Sequence, residues 1–182
     1  MIIIRNLYED DNLITYKDIA LSFTELTRQR SIAIDSLRSE AKSLYECFVD
    51  SLALPLEERA IKDERGDKRA IASIEQRSGG TGDYVRRSPL ALESPDANDI
   101  VFRMCVILDY TPPRISILPV YVMLSHDGGM IKVRLSLSEM DDAGSVFYVS
   151  RGGEKDRYDE TAECIKNLLM KGISDRRPNT SV

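Results

Sequence analysis

Between Tyr16 and Leu52 apolar residues recur at helical spacing for longer than a small domain is wide. The stripe runs through Tyr16, Ile19, Phe23, Leu26, Ala33, Leu37, Leu44 and Phe48, and Ala41 and Val49 broaden it. Arg28, Arg30, Arg38, Glu40 and Lys42 fall between these positions and read as a solvated opposite face. Thr15, with Asp18 three residues on, supplies a capping box at the start. Pro55 ends the pattern, because the residue before a proline is pushed out of the helical region. A helix over 16–52 spans about 55 Å at 1.5 Å per residue. Such a helix can break near Arg28–Ser31, lie whole along a sheet with one end overhanging, or pair its overhang with a second copy, as near-heptad spacing allows. The expectation is a whole, sheet-packed helix with some dimer contact, against the alternative of a helix buried wholly within its own chain.

The second half alternates in a different period. Ile100–Asp109, Arg114–Ser125, Met130–Glu139 and Ser145–Ser150 are β-rich runs separated by turn residues. Thr111-Pro112-Pro113, His126-Asp127-Gly128-Gly129 and Asp141-Asp142-Ala143-Gly144 join them. Links this short imply an antiparallel meander over 100–150, since parallel neighbours need long crossovers. Ile131, Val133, Leu135 and Leu137 point one way, and Lys132, Arg134, Ser136 and Ser138 the other, which gives that strand one wet face. Ile100–Leu108 is apolar on both faces apart from Arg103 and reads as a central strand covered twice. Pro119 removes a ladder donor and argues for an edge or a bulge. A C-terminal helix over 157–171 follows, capped by Asp156 or Asp159 and closed by Gly172.

The connecting segment 63–98 is rich in loop signals. Leu56–Lys62 after Pro55 reads as a short charged helix ending near Gly66. Asp63 to Arg69 mix both signs, and Ala70–Gln76 can form a strand. The fold expected is therefore α+β: a long N-terminal helix, an antiparallel meander of four to six strands, and a C-terminal helix packed on the sheet. One domain over 1–173 suits a chain of 182 residues, with 174–182 as a flexible tail.

Few residues offer chemistry. Ser78-Gly79-Gly80-Thr81-Gly82-Asp83 is a glycine-rich loop whose amides can cradle an anion, with Arg86 and Arg87 close behind. It lacks a P-loop lysine and the dinucleotide fingerprint. Arg103, Lys132 and Arg134, with Arg114 and Arg151 beside them, can form a basic sheet face for a phosphate-bearing or acidic partner. His126, the only histidine, reads as an exposed turn residue. Cys47, Cys105 and Cys164 lie far apart in apolar surroundings with no CxxC, so neither zinc nor a disulfide framework is expected. Glu9-Asp10-Asp11, Asp141-Asp142 and the Asp63, Glu64, Asp67 group read as surface acids.

Thirty acidic residues against 25 basic give a net charge of −5, which disfavours duplex nucleic acid as the main ligand. Poor aromatic interleaving among the basic strand residues gives no support for single strands held by stacking, so nucleic acid is not the expected partner. No signal peptide or membrane span is visible, and three unpaired thiols fit a reducing compartment, so the expected location is cytoplasmic. With no catalytic residue, metal or cofactor assigned, the expectation is a non-enzymatic interaction protein, an adaptor or small subunit that self-associates as a homodimer. The alternatives are a phosphate- or nucleotide-binding enzyme at the glycine loop and, more weakly, a metal-dependent nuclease on strand-end acids.

Overall fold

Thr15 and Asp18 start the long helix as a reciprocal pair. Asp18 N–H donates to Thr15 Oγ1 at 3.3 Å, and the Asp18 carboxylate accepts from Thr15 N–H at 2.9 Å. From there one unbroken helix of 36 residues, α1 (Tyr16–Ser51), runs to the Pro55 turn. The computed structural model describes residues 14–62, 66, 68–95, 97–111, 114–139 and 144–176.

The helix expected after Pro55 forms only a 3-10 turn at Leu56–Glu58. The chain then enters a two-stranded hairpin of β1 (Ala60–Lys62) and β2 (Lys68–Ala70), paired Ala60 to Ala70 and Lys62 to Lys68. A partner ten residues ahead leaves no mark on local periodicity, which is why this pairing escapes the sequence pattern. β3 (Ala72–Arg77), β4 (Tyr84–Arg87), β5 (Asp99–Thr111), β6 (Arg114–Asp127), β7 (Met130–Ser136) and β8 (Ser145–Ser150) form one sheet in the order β4-β3-β5-β6-β7-β8. Every neighbour pair in it is antiparallel. The last helix, α2 (Asp159–Ser174), follows a 3-10 turn at Lys155–Tyr158. The class is α+β, as expected.

Side-chain alternation sends one set of strand residues under the helices. Ile74, Ile100, Phe102, Met104, Leu118, Val120, Val122, Leu124, Ile131, Val133 and Leu135 share that face, all nearly inaccessible. Leu37, Ala41, Leu44 and Phe48 of α1 and Tyr158, Ala162, Ile165 and Leu169 from the C-terminal segment complete the core. β5 is central, and its second face is covered only in part: Val101 there is 42% exposed, whereas Cys105 on the same face is buried. Pro119 lies in an interior strand, yet beyond the last β6–β7 pair, Tyr121 with Ser136, where β6 has no strand partner on that side among the described residues.

Two glycines act differently from expectation. Gly172 does not close α2, which continues to Ser174. A Cβ there would stand 3.3 Å from Leu118 Cδ1, so its bareness lets the helix lie close on the sheet. Gly144 enters β8 so close to β7 that a Cβ would stand 2.3 Å from the Leu135 carbonyl oxygen.

Glu40, read from sequence as solvated, is buried. Its Oε2 accepts from Arg157 Nη2 at 2.6 Å and from Tyr158 Oη at 2.8 Å. Arg157 also donates to the Ser150 carbonyl at 2.7 Å. Burial, then the Glu40 hydrogen bond, push the Tyr158 phenol well above its ordinary range. This node pins the turn before α2 to the middle of α1. Gln76 plays a similar part elsewhere: its amide donates to Glu93 O and Val101 O and accepts from Glu93 N–H, holding the chain between β4 and β5 against the sheet. Glu40→Ala strands the Arg157 guanidinium and should cost about 3 kcal/mol or more in urea unfolding. Tyr158→Phe removes one hydrogen bond and should cost about 1 kcal/mol. Equal losses in the two variants would show that the ion pair is not what matters.

Candidate functional site

Both helices pack on the same side of the sheet, so the opposite face carries whatever the strands place there. Cross-strand register sets that face. One row reads Arg86, Glu75, Arg103, Tyr121 and Ser136 from β4 to β7. The next carries Tyr84 and Arg77, then Val101, Met123, Arg134 and Val146. A third carries Asp99, Ser125, Lys132 and Tyr148, and Asp127 and Met130 follow at the hairpin end.

At the centre of this face the side chains interlock. Arg103 donates through Nε and Nη2 to Glu75 Oε2 at 2.9 and 2.6 Å, and its guanidinium lies 3.7 Å from the Tyr84 ring centroid. Tyr84 meets Tyr121 edge-on at 6.2 Å. Glu139, just past β7, reaches back so that Oε1 accepts from Arg77 Nη1 at 3.4 Å. Desolvation, helped by Glu139 and Tyr121, raises the Tyr84 phenol. Lys132 Nζ stands 6.0 Å from the Tyr148 ring, which is 53% exposed. A cavity of about 300 Å³ opens beside Arg77, Tyr84, Val101 and Glu139.

The structure brings Arg103, Lys132 and Arg134 onto this one face and adds Arg77, Arg86 and the three tyrosines. No sequence signal flagged the tyrosines, because each comes from a different strand. Side chains of 114 lie outside the described set, and Arg151 falls just past β8, where Nη2 meets His126 Nδ1. His126 is not a turn residue: it belongs to β6, half-buried under α1, with Nε2 3.1 Å from the Ala33 carbonyl. Gly128 and Gly129 alone form the turn, both with positive φ.

The glycine loop joins β3 to β4 as a hairpin connection. Ser78 N–H donates to Asp83 O and Gly82 N–H to Ser78 O, so those amides are engaged within the loop. Arg77 Nε donates to Gly82 O at 3.1 Å. Arg86 and Arg87, adjacent in β4, alternate across the sheet: Arg86 Nη2 donates to Ala70 O and Arg87 Nη2 to Glu93 Oε1. Both nonetheless border an edge cavity of about 200 Å³ with Tyr45 and Pro89.

A larger cleft, about 1070 Å³, lies between α1 and the start of α2, lined by Glu46, Cys47, Asp50, Asp156, Asp159 and Arg59 among others. Cys47 Sγ donates to Asp159 Oδ1 at 3.3 Å. Burial first, then that bond and the neighbouring acids, push the thiol up to about 12. Cys105 is buried beside Glu75 and is likewise pushed up to about 12. Neither is poised as a nucleophile at neutral pH. All three cysteines are free. Among the described residues no group of three His, Cys, Asp or Glu is placed to hold a metal, and no helix is long and apolar enough to cross a membrane. The acidic runs at 9–11, at 141–142 and at 63, 64 and 67 lie outside the described residues.

Comparison with protein-family models, with curated proteins and with solved structures finds no match to this chain.

The raised thiols have a pH consequence. Above 9.0 the unfolded chain releases the Cys47 and Cys105 protons, while the folded chain keeps them to about 12. Stability therefore falls as pH rises through that window. In the folded protein at pH 8 Cys105 should resist alkylation, and Cys47 should react far more slowly than in urea. Rapid labelling of both by iodoacetamide, read by mass spectrometry, would contradict this placement.

Proposed function

We propose that this chain is a non-enzymatic interaction protein, an adaptor or small subunit of a larger assembly, that self-associates through the projecting half of α1. The carrying observation is that the apolar stripe continues past the point where the domain ends. Residues 16–32 are exposed except for half-buried Ala20, a projection of about 25 Å. Along it Tyr16 is 85% and Phe23 67% exposed, with Ile19 and Leu26 in line. Single exposed apolar residues are ordinary, but a contiguous stripe is the mark of an interaction surface.

Its heptad phase favours a second copy of this chain in antiparallel pairing. Tyr16, Phe23 and Arg30 occupy a positions and Ile19, Leu26 and Ala33 occupy d. Parallel pairing would set Arg30 against Arg30 of the other copy and crowd two domains at one end. Antiparallel pairing sets Phe23 against Leu26, Ile19 against the aliphatic stem of Arg30, and brings that guanidinium near Asp18. The flanking Ala20, Ser22, Thr27 and Gln29 carry no charge to oppose it. Free thiols and a soluble helix-sheet domain suit the reducing cytoplasm.

Sedimentation equilibrium should find a dimer that Phe23→Glu or Leu26→Glu converts to monomer with an unchanged far-UV CD spectrum. Arg30→Leu should tighten it, since a lone polar a position costs stability. A wild-type chain that stays monomeric at about 0.1 mM would sink the proposal, because that concentration populates even a weak dimer.

A further inference from the structure

The edge strand β4 is shorter than the strand it pairs with. Ile74 with Arg87 is the last β3–β4 pair, so Ala72 and Ser73 have no strand beside them on that edge among the described residues. The notch left there is the edge cavity of about 200 Å³. Tyr45 of α1 and Pro89, in the 3-10 turn Pro89–Ala91, line it together with the apolar side chains of Ala72 and Ile74.

Consecutive residues of a strand send their side chains to opposite faces, which would keep Arg86 and Arg87 apart. At this edge they meet. Arg86 Nη2 donates to the Ala70 carbonyl, just ahead of β3, at 3.1 Å, and both arginines border the one cavity. None of its lining residues is acidic. Glu75, opposite Arg86 in register, is engaged by Arg103 through two hydrogen bonds. Glu93 pairs with Arg87 Nη2 at 2.9 Å from an exposed position. Arg86 has a neutral carbonyl as its partner, so no carboxylate among the described residues is hydrogen-bonded to it.

One donor in this notch is left over. Arg87 Nε is shut off from solvent and has no acceptor among the described residues. A buried donor on a charged group is costly in that condition, and an acceptor brought by a ligand would answer it. The Tyr45 hydroxyl is committed to the Ala72 carbonyl at 2.9 Å, which leaves the two guanidiniums as the binding groups.

Two guanidinium forks at one notch call for more acceptors than the two oxygens of a carboxylate. A phosphoryl group offers three terminal oxygens and a charge of about −2, and arginine matches such oxygens in pairs. The cavity is smaller than the roughly 300–1,000 Å³ that drug-sized ligands fill, which points to a ligand shorter than a nucleotide. We propose that this notch binds a small phosphate monoester, with its phosphoryl group on Arg86 and Arg87 and its short carbon chain against Ala72, Ile74 and Pro89. The site lies at the far end of β4 from the glycine loop and does not depend on self-association through α1.

Isothermal titration calorimetry of the full chain at pH 8 with ethyl phosphate, inorganic phosphate and propionate tests this. Ethyl phosphate should bind at about 0.1 mM, inorganic phosphate about threefold more weakly, and propionate not measurably. Arg87→Lys and Arg86→Lys keep the charge and lose the fork, and each should weaken ethyl phosphate about tenfold with an unchanged melting temperature. Glu93→Gln removes the carboxylate that competes for Arg87 and should tighten binding about threefold, which a purely structural pairing would not do. No heat of binding at about 5 mM ethyl phosphate overturns the proposal. So does propionate binding as tightly, or an Arg87→Lys or Glu93→Gln variant that binds like wild type. A phosphoserine peptide that binds where ethyl phosphate does not would also overturn it, by making the ligand a modified protein.

Discussion

A carboxylate in the interior has to be matched, and Glu40 is matched by a single arginine and a single phenol from the far end of the chain. Arg157 and Tyr158 reach it only because the β7–β8 hairpin returns the chain beside the middle of α1. Arg157 is also fastened to the Ser150 carbonyl at the end of β8, so the node ties helix, sheet and α2 together. A buried ion pair adds little net stability over an apolar substitute, but it penalises every arrangement that leaves one partner alone. The position of α2, and with it the closure of the core by Ala162, Ile165 and Leu169, depends on that match.

The same node marks where α1 belongs to the domain. From Leu37 onward the helix stripe packs on the sheet; before Ala33 it does not. Because only half of α1 is used for covering, and α2 lies on the same side, much of the other sheet face, from Val101 to Tyr148, is left without a layer. Two surfaces follow from this one economy of material: a projecting apolar stripe and a sheet face of tyrosines and interleaved charges of both signs. They lie on separate parts of the molecule, one at the N-terminal end of α1 and one on the side of the sheet away from both helices.

Local features were legible from the residues. The Thr15–Asp18 capping box, the run of α1 to the Pro55 turn, the Gly128-Gly129 hairpin and the alternation along β7 all depend on neighbours within a few positions. So did the placing of Lys132 and Arg134 on one wet face. Glu40 was misjudged because burial depends on what lies across from a helix, and Arg157 is 117 residues away in sequence. His126 was misplaced because the strand runs two residues further than expected, to Asp127, which moved it from a turn to the underside of α1. The tyrosines were invisible as a group, since Tyr84, Tyr121 and Tyr148 meet only when three separate strands are set in register.

The amino-acid sequence by itself determined the helix phases, the turns and the α+β class, because hydrophobic period and turn chemistry act over a few residues. Only the tertiary structure decided which sheet face the helices cover, how far α1 overhangs, and which rings and charges line up across strands. Those depend on pairings between distant segments, where a shift of one residue sends every side chain of a strand to the opposite face.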